Sequence, residues 1–78
     1  MTIEQYLAFV KQAVGKNEKG LAMIKVAEAD IKTLKEKNKQ LEEILKSEDY
    51  KKQIEIASEV SKLFQKILKN LQDAAFAQ

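Results

Sequence analysis

Residues 50–71 read YKKQIEIASEVSKLFQKILKNL, and their spacing decides the fold. Ile56, Val60, Leu63, Phe64, Ile67, Leu68 and Leu71 recur at three- and four-residue steps, the period of one face of an α-helix. With Ile54, Ala57 and Ala75 at the edge, they occupy roughly 160–180° of the helix circumference at about 100° per residue. A two-helix seam is narrower than that. The stretch is therefore expected to touch two neighbours at once.

The first neighbour lies directly upstream. Ile24, Ala27, Ile31, Leu34, Asn38, Leu41 and Leu45 alternate three- and four-residue steps, predicting a helix over about 21–46 with a heptad seam. Ser47 reads as the N-cap of the next helix, with Glu48 and Asp49 near the positive end of its dipole, so that helix is expected over about 48–75. A turn confined to 46–49 makes the two helices an antiparallel hairpin. Glu28–Lys32 and Glu42–Lys46 add i, i+4 pairs in the favourable order.

Further upstream, Thr2 and Gln5 have the spacing of a capping box. Ile3, Leu7, Val10 and Val14 form a helical stripe that stops before Gly15. This predicts a first helix over 3–14 and a loop over 15–20, GKNEKG, bounded by two glycines. Phe9 and Phe76 sit off the main apolar faces, Phe9 as a core edge and Phe76 on a fraying end. The first helix has about three turns against nearly eight in the third, so it covers less than half of the length needing cover.

The expectation is thus an all-α single domain over 1–78, with a short N-terminal helix followed by a long antiparallel hairpin. Dimerisation into a helical bundle with coiled-coil-like packing is expected to cover the remainder; a first helix closing a monomeric three-helix bundle is the alternative. Composition points the same way. A chain of 78 residues with no Cys and no His has neither disulfide nor His–Cys metal site to support a small core, which leaves self-association.

Asn38 at a heptad a position among Ile and Leu is a device that sets register in parallel coiled coils. In a parallel dimer Asp30 would face Lys35, and Lys37 would face Glu42, both attractively. Asn38 facing solvent on a hairpin margin is the equal alternative.

Chemistry is poorly supplied. Without His or Cys the usual general base and low-pKa nucleophile are absent. Glu55 and Glu59 stand one turn apart, but a di-iron bundle also needs Glu-x-x-His elements. Neither an enzyme nor any metal or cofactor is expected. Lys32, Lys35, Lys37 and Lys39 form the densest basic cluster and the one candidate for anion binding. Acidic neighbours, a net charge of +2 and the lack of Arg and interleaved aromatics weigh against nucleic acid. No apolar run reaches the roughly 20 residues of a membrane span, and no signal-peptide pattern opens the chain. A cytoplasmic location is expected.

The function expected is a non-catalytic protein–protein interaction module, a small adaptor, chaperone or assembly factor. Its interface is expected at Asn38, Leu41, Leu63, Phe64, Ile67, Leu68 and Leu71, and its partners are a second copy of itself and another protein. The alternatives are a nucleic-acid-associated regulator using the Lys32–Lys39 cluster and, behind it, a membrane-surface or immunity-type small protein.

Overall fold

The computed structural model describes residues 2–76, and the ends of the domain expected over 1–78 lie outside them. Three helices account for nearly all of it: α1 (Ile3–Val14), α2 (Glu18–Ile44) and α3 (Tyr50–Phe76).

The capping box of α1 is reciprocal. Gln5 N–H donates to Thr2 Oγ1 at 3.1 Å, and Thr2 N–H donates to Gln5 Oε1 at 2.9 Å. The helix stops at Gly15, whose φ of +60° and ψ of −117° suit glycine alone. The loop expected over 15–20 is shorter than its two glycines suggested. Asn17 caps α2, its Oδ1 accepting from Gly20 N–H at 2.9 Å, so only residues 15–17 lie outside helix. Gly20 is helical and buried. A Cβ there would lie 2.6 Å from Val14 Cγ1 and 3.2 Å from the Ala74 carbonyl oxygen. Its role is close approach of all three helices, not a turn.

The second connection also departs from expectation. Asp49, not Ser47, caps α3: Lys52 N–H donates to Asp49 Oδ1 at 3.1 Å, and Gln53 N–H to the Asp49 carbonyl at 3.1 Å. Ser47 instead donates through Oγ to the Ile44 carbonyl at 2.7 Å, closing the end of α2. Gln53 Nε2 fastens the turn from the α3 side, donating to the carbonyls of Ile44 at 3.2 Å and Ser47 at 3.0 Å. The bonds to Ile44 satisfy a carbonyl that the end of α2 leaves without a helical i+4 partner.

Helices α2 and α3 form the expected hairpin, and the whole measures 48 × 18 × 16 Å. Asp30 meets Lys66, and Lys37 meets Glu59, which fixes the register between the two. Helix α1 lies in the hairpin groove. Glu4 pairs with Lys35 at 3.2 Å and Lys11 with Glu28 at 3.6 Å, while Val14 packs on Gly20 beside Ala74. It therefore runs beside α3 from about the level of Ser61 to that of Ala74.

The core follows this overlap. Val10, Val14, Ile24, Ala27, Ile31, Leu34, Ile67, Leu71 and Ala74 are buried, and no described residue between 35 and 66 joins them. Where three helices meet, Val10, Ala27, Ile67, Leu71 and Ala74 lose all contact with water. Toward the hairpin tip, where only two meet, Leu41, Ile44, Ile56 and Val60 are merely half-buried.

Candidate functional site

The face expected to carry an interface divides in two. Ile67 and Leu71 are fully buried inside the chain and hold its own core, so they are not offered to a partner. Leu63 and Leu68 are half-buried, as is Leu41 on α2, and Phe64 is 42% exposed. Asn38 points to solvent, not into the α2–α3 seam. Its expected place is taken by Lys37, whose stem is half-buried and whose Nζ donates to Glu59 at 2.6 Å. Leu45, next in the heptad, is likewise exposed, and Ile44 packs instead.

The basic cluster is partly engaged. Lys35 pairs with Glu4 and Lys37 with Glu59, leaving Lys32 and Lys39 without a carboxylate partner among the described residues. The Glu4 carboxyl is held below its ordinary value of 4.5, first by a hydrogen bond from its own backbone N–H and next by Lys35. Asp30, mostly buried, has Oδ2 3.2 Å from Lys66 Nζ, an ion pair outside hydrogen-bond geometry. Each cation in these pairs has a carboxylate partner, so none of them builds an anion site.

No group of His, Cys, Asp and Glu suited to a metal is present among the described residues. An open groove lies between α2 and α3 near the tip, lined by Gln40, Glu43, Ile44, Lys52, Glu55, Ile56 and Glu59. Glu55 and Glu59 thus stand at its rim with Lys52 and Lys37 nearby, a solvated mix of both signs.

The distinctive surface is on the other side of α3. Lys51, Lys52, Glu55, Glu59, Lys62, Lys66, Lys69 and Asp73 are all the charged residues of this helix. At 100° per residue they fall within about 100° of its circumference, the sector flanking α2. Beyond the buried sector comes a strip with no charge, exposed except at half-buried Leu68: Tyr50, Ile54, Ala57, Ser61, Phe64, Leu68 and Gln72, with Ser58 and Gln65 beside it. Ile54 is 70% exposed and Tyr50 68%. In a chain one-third of whose residues are charged, such a strip stands out.

Helix α1 extends it. Glu4 and Lys11 both face α2, which turns Phe9 to the α3 side, where it is 62% exposed. Tyr50, Ile54, Ser61 and Phe9 were not among the expected interface residues. The available signal was not where apolar residues recur but where charged ones do not.

The chain is an all-α protein built as a helical hairpin with a short third helix in its groove. Comparison with protein-family models, curated proteins and solved structures finds no match. No described helix is long and apolar enough to cross a membrane.

Proposed function

We propose that the protein is a non-catalytic protein–protein interaction module, an adaptor or assembly factor that docks through the uncharged outer face of α3 and α1. The observation that carries this reading is the segregation of every α3 charge away from Ile54, Ser61, Phe64 and Leu68. Depletion of charge, with aromatic residues retained, is the compositional mark of an interface centre. Its apolar side chains line one helix face at three- and four-residue steps, with Ser61 in the row, and are not scattered single residues. The half-buried tip of the hairpin adds support, because docking there completes the cover that α1 provides at the other end.

The experiment is affinity capture from the cells of origin with wild type, Ile54→Asp, Phe64→Asp and a Lys32→Gln/Lys39→Gln variant. Phe64→Asp and Ile54→Asp are expected to lose retained protein while helix content by circular dichroism is kept, and the Lys variant is expected to behave as wild type. Capture unaffected by both Asp variants refutes the reading. Retention of nucleic acid at about 50 mM salt that the Lys variant abolishes favours the anion-binding alternative instead.

A further inference from the structure

We infer that the occupant of this face is a second copy of the same chain, docked antiparallel about a two-fold axis near Ser61; this rests on the interaction reading above and names its partner. Three observations carry it. First, cover along α3 is lopsided. Helix α1 shelters α3 from about Ser61 to Ala74 and leaves Tyr50 to Val60 with α2 alone. A two-fold at Ser61 lays the covered half of one chain on the uncovered half of the other, and the twin's α1 continues the line that this chain's α1 leaves empty. Such mutual completion is what an isologous interface requires.

Second, the side chains of the strip match in that register and mismatch in the parallel one. Antiparallel about Ser61, Phe64 of one chain meets Ala57 and Ser58 of the other, and Ile54 meets Leu68. The largest side chain, Phe64, then faces small ones, with the small Ser61 at the axis where the helices come closest. A parallel pair would stack Phe64 on Phe64 and leave Ala57 opposite Ala57, over-filling one layer and voiding the next. Phe9, turned to the α3 side of α1, reaches the twin's α3 near Ile54 and Ala57.

Third, the charges permit it. With no charged residue on the strip, self-contact there brings no like charges together and desolvates none. The molecule is 48 Å long and 18 Å wide. Contact along most of that length buries on the order of 1,000 Å² in total, the lower bound for a specific interface. A dimer of micromolar affinity is expected.

The chain has no Cys, so introduced thiols are unique. Single variants Ser61→Cys, Ile54→Cys, Leu68→Cys and Lys69→Cys, each checked for helix content, are treated with a short bis-maleimide at micromolar concentration, beside sedimentation equilibrium of the wild type. The expected result is a wild-type dimer in which Ser61→Cys links to itself and Ile54→Cys links to Leu68→Cys on mixing but poorly to itself. Phe64→Asp is expected to weaken dimerisation by about tenfold or more. A monomeric wild type overturns the proposal. So does a dimer with strong Ile54 self-linkage, with linkage mainly through Lys69→Cys, or with linkage at none of these positions. A monomer whose Phe64→Asp variant still loses a captured foreign protein leaves the interaction module standing and removes only the self-pairing.

Discussion

Gly20→Ala tests the packing on which the three-helix end depends. In an exposed helix interior this change stabilises by about 1 kcal/mol, because Ala loses less backbone entropy than Gly. Here the new methyl would lie 2.6 Å from Val14 Cγ1, 3.1 Å from Cγ2 and 3.2 Å from the Ala74 carbonyl. Val14 is β-branched and buried, so it cannot swing aside as a long flexible side chain would. The alternative is to move α1, or to move α2 from the α3 backbone, and over-packing of this kind costs roughly 1–3 kcal/mol. The steric term wins, leaving a net loss of about 1 kcal/mol, or a fall in Tm of roughly 4–8 °C for a domain of this size. Urea unfolding followed by circular dichroism measures it. A double-mutant cycle then assigns the cause: in a Val14→Ala background the methyl has space, and Gly20→Ala is expected to be neutral or stabilising. A stabilising effect in the wild-type background, or a cycle with no coupling, would refute close approach at Gly20.

Ile67→Ala is expected to cost about 2–5 kcal/mol in the same assay, since the side chain is fully buried, whereas Ile54→Ala should stay within about 0.5 kcal/mol for the monomer. Asp49→Ala is expected to lose about 1 kcal/mol as the cap of α3, and Ser47→Ala less, in thermal melts; equal losses would return the cap to Ser47. Acid should loosen α1. Glu4 has a lowered folded-state pKa, so its contribution is complete above the ordinary value of 4.5 and is lost as pH falls through the lower folded value. Glu4→Gln should remove that part of the acid response, read from the Tyr6 fluorescence of a Tyr50→Phe variant between neutral and acid pH.

The helices were legible because each carried two agreeing signals. Thr2 and Gln5 cap a stripe that Gly15 ends, and α1 spans Ile3–Val14 as expected. The hairpin followed from two apolar stripes of matched length joined by a short polar turn. The misplacements came where one residue type serves two purposes. Gly20 looked like a loop boundary because glycine is poor in helices, yet here it permits close packing, and only the positions of Val14 and Ala74 reveal that. Asn17, two residues beyond Gly15, carried the information that α2 starts early. Ser47 and Asp49 are both good caps. Asp49 directly precedes α3 and accepts from the Lys52 N–H, whereas Ser47, two residues earlier, accepts only from the Asp49 N–H at 3.3 Å, within the turn.

The seam of α2 shows why periodicity alone misjudged the exposed surface. Helix α2 faces both α1 and α3 up to Leu34 but α3 alone beyond it, so its contact centre turns toward α3. That turn carries Asn38 and Leu45 outward and brings Lys37 and Ile44 in. The Lys37 stem then packs while its ammonium escapes to Glu59, which a polar residue without a long apolar stem could not do. Asn38 is thereby removed as a register device within the chain. What remains to direct assembly is the uncharged strip of α3, and its register is set by size, Phe64 against Ala57, with no buried polar group involved. Exchanging Ala57 and Phe64 within one chain keeps composition and antiparallel pairing alike, so the doubly exchanged protein should still dimerise, while Ala57→Phe alone should not. Equal dimerisation of both variants, by sedimentation equilibrium, would show that this complementarity is not what sets the pairing.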